Sequence, residues 1–272
     1  MTTYENIISA LAQLIDRSAT SHTFAIHEVR ENGSVFNYYD TAASRAGIGA
    51  ATEKLCKSVV AIVGLGGTGS YILDLVAKTP VREIHLFDGD QFGQHNAFRS
   101  PGAPSTERLR AKPMKTEYFK NIYSRMRHSI VTHGYVDDST VHCLRQMDFV
   151  FIAVDKGSVR KLLVENLNEF SLPYIDVGMD VEDVENSLRG TLTVTTSTDQ
   201  SSDKVQRTIP LVDRDVDDEY SRNIQIADLN ALNATLAVIK WKKILGFYVD
   251  FEMEHTCLYE IEGNNLINED QA

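Results

Sequence analysis

Residues 58–70 read SVVAIVGLGGTGS, and this stretch decides the expected fold. The β-branched run that ends at Val63 predicts a buried strand, and the glycine-rich turn after it predicts the start of a helix. Free amides at a helix N-terminus favour a bound phosphate. Segment 82–87 predicts the next strand and ends at Asp88, where a carboxylate can receive both ribose hydroxyls. The order strand, glycine turn, helix, strand and acid therefore predicts nucleotide binding, with close backbone approach at Gly64, Gly66 and Gly69.

Strands and helices continue to alternate beyond this unit. Apolar segments predict strands at 130–135, 148–154, 173–176 and 189–196, and helical spacing predicts helices at 116–126 and 159–170. The longest predicted helix, 226–244, has one apolar face formed by Leu229, Leu232, Leu236 and Ile239. The pattern predicts an α/β fold with a doubly wound, mostly parallel, Rossmann-like sheet.

Composition and charge exclude several classes of protein. The 272 residues carry a formal net charge of -11, which argues against nucleic-acid binding by neutralisation of phosphates. Three cysteines without a C-x-x-C pair provide neither a disulfide framework nor a four-cysteine zinc site, so we expect a reduced, cytoplasmic protein without zinc. No segment reaches the roughly 18 apolar residues that a membrane span needs, so no membrane association is expected.

Polar residues beyond Asp88 indicate which nucleotide binds. They bring carboxylates, an amide and several cations to one edge of the predicted sheet, which a nicotinamide enzyme does not need. Such a set suits a triphosphate with Mg²⁺, because cations neutralise the phosphates while carboxylates hold metal and ribose. Its members are Asp88, Asp90, Asn96, Arg99, Lys112, Lys115 and Asp155.

The spacing of these residues resembles that of the E1-like activating-enzyme superfamily, which includes ThiF, MoeB and the adenylation domains of ubiquitin activators. The resemblance covers about residues 40 to 195 and is strongest to bacterial ThiF-type adenylyltransferases. The motifs that carry it are Gly64-Leu-Gly-Gly-Thr-Gly69, Asp88-Gly-Asp90, Asn96-Ala-Phe-Arg99, Lys115-Thr-Glu and Ile152-Ala-Val-Asp155. Along the chain we expect a lead-in at 1–50 with a helix, an edge strand at 24–29 and Arg45, then an adenylation domain at 51–246. A tail at 247–272 follows, in which 247–253 and 256–261 are predicted to form a hairpin.

The resemblance also implies roles for single residues. The glycine turn, including Gly67, would approach the nucleotide, and Asp88 and Asp90 would lie beside it, with Asp88 on the ribose. Asn96, Arg99 and Lys115 would contact phosphates, with Lys112 as a rival for Lys115 because the preceding loop is long. Asp155 would serve Mg²⁺ and the reacting α-phosphate. Arg45 would reach into the ATP site of a partner in a homodimer.

The implied reaction is ATP- and Mg²⁺-dependent adenylation of a carboxylate, with release of pyrophosphate. The expected substrate is the C-terminus of a ubiquitin-like protein or peptide, and an extra N-terminal domain is expected as a fusion or partner. Three alternatives stay open: a small-molecule or tRNA-borne carboxylate as substrate, a scaffold without turnover, and a nicotinamide-dependent oxidoreductase. The acidic composition disfavours the tRNA version.

The cysteines argue against a thioester intermediate on this chain. Segment 176–220, where E1 enzymes usually place their acceptor thiol, contains no cysteine. We expect Cys56 and Cys143 to be small buried residues, which leaves Cys257 as the one plausible acceptor. The activated acyl group is therefore expected to pass to an external nucleophile, such as a partner conjugating protein.

Overall fold

The structure is a computed structural model, and it describes residues 2–17, 19–20, 33–198, 209 and 224–268. Within these residues an eight-stranded sheet is the centre of the fold. Its strands are β1 (Val59–Val63), β2 (Glu83–Phe87), β3 (Ile130–His133), β4 (Phe149–Ile152), β5 (Tyr174–Val184), β6 (Ser187–Ser197), β7 (Thr256–Glu260) and β8 (Asn265–Asn268). The expected edge strand at 24–29 lies outside the described residues.

The described residues also form nine α-helices, some of which pack against the sheet. They are α1 (Thr2–Ile15), α2 (Thr41–Ala46), α3 (Gly49–Glu53), α4 (Gly67–Ala77), α5 (Gln94–Ala97), α6 (Thr106–Arg110), α7 (Lys115–Tyr123), α8 (Gly157–Glu169) and α9 (Ala227–Ile244), with a 3₁₀ helix at Val141–Gln146. None of the helices in the described part of the chain is long and apolar enough to cross a membrane.

The strand order is β3-β2-β1-β4-β5-β6-β7-β8. The first five strands in this order pair in parallel, and β5 to β8 continue as antiparallel pairs. The chain leaves β1 toward β2 on one side and returns to β4 on the other, so the order reverses between β1 and β4. A crevice opens outside the carboxyl ends of two strands at such a reversal, and ligands of open α/β sheets bind there. The predicted doubly wound sheet is confirmed.

The core explains why these segments became strands. All five residues of β1 and all four of β4 are buried, as expected for central parallel strands with helices on both faces. Trp241 of α9 is fully buried, and its ring lies 6.0 Å from that of Phe151 and 6.5 Å from that of Phe149, measured between centroids. Helix α9 thereby closes the face of the sheet that α4 also covers.

Helix α9 is where the sequence prediction and the structure differ most. The expected apolar face is only partly buried, and Ile239 is exposed. The buried face instead carries two asparagines, small alanines and Trp241, because α9 packs closely against α4 and β5. Small residues allow that approach, and the leucines that periodicity selected lie along its margins.

The predicted terminal hairpin is also displaced along the chain. β7 pairs with β8 at 265–268, and not with segment 247–253, which forms no strand. That segment is held near α9 by two ion pairs to Asp250: Lys240 Nζ lies 2.9 Å from its Oδ2, and Lys243 Nζ lies 3.4 Å from its Oδ1. The ion pairs require the segment to stay near α9, which is incompatible with a strand at the sheet edge.

Candidate functional site

The glycine turn lies at the carboxyl end of β1, and its close packing requires glycine at three positions, one of which is Gly69, where a Cβ would overlap the carbonyl oxygen of Gly64. Gly64 has a φ of 90°, and a Cβ there would overlap the carbonyl oxygen of Ala153. A Cβ at Gly67 would overlap the side chain of Asn230. Gly66, the N-cap of α4, borders open space instead. The turn is therefore held against the protein on one side and leaves the N-terminus of α4 accessible on the other.

Asp88 ties the end of β2 to this turn. Its Oδ2 accepts a hydrogen bond of 2.7 Å from the backbone N–H of Leu65, and its Oδ1 accepts one of 2.8 Å from that of Asp90. The residue is 8% exposed. A carboxylate has about four lone-pair sites, so these two bonds orient the group and still leave acceptors for ribose hydroxyls.

Lys115, the first residue of α7, meets both carboxylates of the Asp88-Gly-Asp90 motif. Its Nζ lies 2.6 Å from Asp90 Oδ2 and 3.4 Å from Asp88 Oδ2, and its backbone N–H donates to the Asp90 carbonyl. The rival, Lys112, is exposed at a φ of 43° and forms no ion pair with a described residue. The structure brings Lys115, and not Lys112, into the cluster.

Tyr135 completes this cluster and was not predicted from the sequence. Its hydroxyl donates to Asp90 Oδ1, and its ring lies against the backbone of Gly89. Hydrogen bonds from Lys115 and then from Tyr135 hold the pKa of Asp90 below its usual value. The same bond, which stabilises the phenol form, raises the pKa of Tyr135 to about 12. Asp90 is therefore an anion shared by a cation and a phenol.

Asn96 and Arg99 present buried hydrogen-bond donors without acceptors. Asn96 is 2% exposed; its Oδ1 accepts from the N–H of Gly93, while its Nδ2 has no partner among the described residues. Nε of Arg99 is likewise buried and unpartnered there. Burial lowers the pKa of Arg99, and the charge of Asp155 opposes that shift. Since buried donors in native proteins are nearly always paired, two orphaned donors in one segment are characteristic of a site whose ligand supplies the acceptors.

Asp155 follows β4 by three residues and is exposed. The loop that carries it is anchored by Arg160, whose Nη2 donates to the carbonyl of Val154 at 2.6 Å. Nε of Arg160 lies 2.8 Å from Oδ1 of buried Asp176 on β5. Burial raises the pKa of Asp176 to about 6, although Arg160 opposes the rise. Neither Arg160 nor Asp176 was predicted as a site residue, because their pairing joins a helix and a strand that the sequence does not relate.

Arg45 lies in α2, which Asp40 caps through hydrogen bonds to the N–H groups of Ala42 and Ala43. Its side chain is exposed, and no hydrogen bond or ion pair joins it to another predicted site residue in the described chain. The expected action of Arg45 in a partner's site stays a prediction.

The cysteines depart partly from expectation. Cys56 is exposed in the turn before β1, and Cys143 is half-buried, so the prediction of two buried cysteines is wrong. In the turn before β1, Leu55 enters the core and Cys56 faces the surface. Burial raises the pKa of the Cys257 thiol, and Glu254 adds to the rise. Within the described residues, no three His, Cys, Asp or Glu side chains are grouped to hold a metal ion.

Two family models match the sequence of this chain. A model of the ThiF family matches residues 39–247, and a model of a domain of unknown function matches residues 1–41. No match was found among curated protein sequences.

Solved structures with a similar fold were also found. A structure of Escherichia coli MccB with ATP is 18% identical, covers 85% of this chain and 71% of its own, and superimposes with a TM-score of 0.65. MccB with AMPCPP and MccA is 17% identical, with the same coverage and a TM-score of 0.64. PaaA is 15% identical, covers 97% of this chain and 81% of its own, and has a TM-score of 0.63. At these identities the likeness shows the fold alone.

Proposed function

Since the chain belongs to the ThiF family of E1-like adenylyltransferases, we propose that it uses ATP to convert a carboxylate into an acyl-adenylate and pyrophosphate. The observation that carries this proposal is the pair of orphaned buried donors, Nδ2 of Asn96 and Nε of Arg99. A triphosphate supplies acceptors for both donors. A nicotinamide dinucleotide would need neither them nor the Lys115 cluster.

The chemistry needs charge neutralisation and positioning more than proton transfer. A substrate carboxylate is already ionised near neutral pH, so it attacks the α-phosphate without a general base. Negative charge builds on the phosphate oxygens as pyrophosphate leaves. Arg99 and Lys115 would neutralise that charge, and the amides at the start of α4 add donors. Asp88 would hold the ribose through the lone pairs that its two backbone bonds leave open.

Magnesium fits the residues present. Mg²⁺ in nucleotide sites is held by one or two carboxylates together with substrate phosphates, so an all-protein cage is not required. Asp155 is exposed on a loop anchored through Arg160, and it suits this role. The ion would supply neutralisation of phosphate charge when bound.

We propose a peptide carboxyl terminus as the substrate, of a free peptide or of a ubiquitin-like protein. Support comes from the structural neighbours, since E. coli MccB has been solved with MccA. The thiols of this chain do not favour a thioester step. Cys257 has a raised pKa, and only the thiolate form of a cysteine attacks. The adenylate would pass to an external nucleophile, such as the thiol of a conjugating protein.

A homodimer belongs to this proposal, with Arg45 of one protomer serving the site of its partner. Co-refolding of inactive Arg45→Ala with inactive Asp155→Ala tests it. If Arg45 acts in trans, one of the two sites in the mixed dimer has both residues and activity returns. Absence of recovery in verified heterodimers would exclude action in trans.

Calorimetry with ATP and NAD, in the presence of Mg²⁺, tests the choice of nucleotide. We expect binding of ATP and none of NAD, and weaker ATP binding by Arg99→Ala. Exchange of isotope between pyrophosphate and ATP tests the role of Asp155. Asp155→Ala should abolish this exchange, and its melting temperature should not change because the side chain is exposed. Asp138→Ala, an exposed carboxylate on another loop, is the matched control and should retain exchange. Measurable affinity for NAD, with none for ATP, would instead favour an oxidoreductase.

A further inference from the structure

Asn230 of α9 connects two separate parts of the candidate site. It is 1% exposed, and its Oδ1 accepts a hydrogen bond of 2.9 Å from the Thr68 hydroxyl in the glycine turn. Its Nδ2 donates to the backbone carbonyl of Arg99 at 3.5 Å. The two partners precede Asn230 by 162 and 131 residues. A single carboxamide thus joins the start of α4 to the segment that carries the phosphate-binding arginine.

The glycine turn is shaped around this side chain. A Cβ at Gly67 would overlap the Asn230 carboxamide, so the second glycine of the Gly66-Gly67 pair makes room for an asparagine that lies far along the chain. A carboxamide suits the position because it offers an acceptor and a donor at once, and the two loops require one of each.

Arg99 depends on such an anchor. Its guanidinium has a buried Nε without a partner among the described residues, so its side chain is not fixed by its own contacts there. Its backbone is fixed on one side by its N–H, which donates to the carbonyl of Asn96 at 3.1 Å. On the other side, the contact of its carbonyl is the 3.5 Å hydrogen bond from Asn230 Nδ2. Loss of Asn230 would leave both the arginine and the first turn of α4 free to shift relative to each other.

We propose that Asn230 is a positioning residue for adenylation, which holds Arg99 and the glycine turn at the separation that the reacting phosphates require. This inference rests on the proposed function and extends it to a helix that contributes no group to the reaction itself. Misplacement of a positioned cation lowers the rate of the chemical step more than it lowers ground-state affinity, because the lost interaction is strongest in the transition state.

Asn233 provides a matched control on the same helix. It is also 1% exposed, and its Nδ2 donates to the carbonyl of Gly178 on β5 at 2.8 Å, away from the glycine turn. Replacement of either asparagine by alanine removes one or more buried hydrogen bonds, so both variants should have a lower free energy of unfolding than wild type. Only Asn230→Ala should alter the site.

The test compares Asn230→Ala and Asn233→Ala in ATP–pyrophosphate exchange at temperatures well below melting. We expect kcat of Asn230→Ala to fall by about tenfold or more with the dissociation constant of ATP changed less than about threefold, and Asn233→Ala to retain kcat within about threefold. Equal loss of kcat in both variants would show that Asn230 is merely structural. An effect confined to ATP affinity would likewise overturn the proposal.

Thr68 variants test the shared hydrogen bond. Thr68→Ser keeps the hydroxyl and should retain activity, whereas Thr68→Val should reduce kcat. The Thr68→Val/Asn230→Ala double variant should be no worse than Asn230→Ala, since residues that act as a unit are non-additive. If the losses of kcat in the two single variants add in the double variant, Thr68 and Asn230 do not act through their shared hydrogen bond.

Hydrogen exchange separates failure of this inference from failure of the proposed function. The N–H groups of Ser70 and Arg99 donate within the two joined segments. Both should exchange faster in Asn230→Ala than in wild type and in Asn233→Ala, whether or not the wild type turns over ATP. If the wild type lacks exchange activity but this pattern appears, the proposed function fails and the anchoring role stands. Unchanged protection at both amides in Asn230→Ala would overturn the anchoring role.

Discussion

The ammonium of Lys115 lies 2.6 Å from Asp90 Oδ2 and 3.4 Å from Asp88 Oδ2, inside the cluster that terminates β2. The ion pair keeps a long, flexible side chain in one place before any ligand arrives. If the proposed function holds, Lys115 would meet a phosphate with little further loss of side-chain entropy. This relationship separates Lys115 from Lys112, which the sequence spacing alone does not.

Lys115→Met should therefore lower ATP–pyrophosphate exchange strongly. Loss of one preorganised donor costs about 3 kcal/mol of transition-state stabilisation, or about two orders of magnitude in rate. Lys112→Met should leave the rate within about threefold, because its exposed side chain interacts mainly with solvent. Steady-state exchange assays on the two variants decide between them. The reverse ranking would make Lys112 the phosphate ligand.

The two glycines that flank Leu65 should respond differently to alanine. Gly64→Ala should lower the free energy of unfolding by about 2 kcal/mol or more, because its φ is positive and the new Cβ would overlap the Ala153 carbonyl. Gly66→Ala should leave stability within about 0.5 kcal/mol and weaken ATP binding, since its Cβ would point into open space at the start of α4. Urea unfolding and calorimetry measure the two effects. Equal stability of both variants would contradict the close packing of the turn.

His133 should make stability depend on pH. Its Nε2 lies 2.9 Å from Nδ1 of His85, and its ring stacks on Phe87 at 4.1 Å between centroids. Burial, and then the charge of His85, lower the pKa of His133 below the usual 6.5. The unfolded chain therefore binds the proton more readily, so this contribution to stability is present above pH about 6.5 and is lost as pH falls below it.

Urea unfolding at pH about 5.5 and about 7.5 checks this linkage. The difference in unfolding free energy between the two conditions should shrink in His133→Phe, which keeps a ring on Phe87. It should persist in His142→Gln, whose histidine is exposed. Other groups will also contribute to the difference: burial lowers the pKa of His95, which acts in the same direction, and raises the pKa of Asp176 to about 6, which acts in the opposite direction. If the difference in unfolding free energy between the two pH values is as large in His133→Phe as in wild type, groups other than His133 cause it.

Replacement of all three cysteines should leave pyrophosphate exchange unchanged. The pKa values of Cys56 and Cys257 are raised, mainly by burial. Less of each thiol is therefore in the reactive thiolate form, and neither is activated as a nucleophile. A triple Ser or Ala variant in the exchange assay, with wild type on a non-reducing gel, tests this. A reducible conjugate that maps to Cys257 would show that β7 carries an acceptor thiol.

The sequence predicts the order of the elements well because each depends on local chemistry. Runs of β-branched residues predict β1 and β4, and the Gly64 turn and Asp88 follow from the needs of a helix start and a strand end. Contacts between distant segments leave no such signal. Asn230, Tyr135 and Arg160 reach their partners only through tertiary packing, so their roles could not be predicted. The buried face of α9 was misassigned for the same reason, because its asparagines and alanines pack where periodicity favoured leucines.

The most direct test of adenylation is the carboxylate dependence of isotope exchange between pyrophosphate and ATP. A pool of peptides with free carboxyl termini is compared with the same pool carrying C-terminal amides, with Mg²⁺ present throughout. We predict exchange with the free acids, none with the amides, and none in Asp155→Ala. Identical behaviour of acid and amide pools, with ATP cleaved to ADP and phosphate, would contradict activation at the α-phosphate and with it the proposed function.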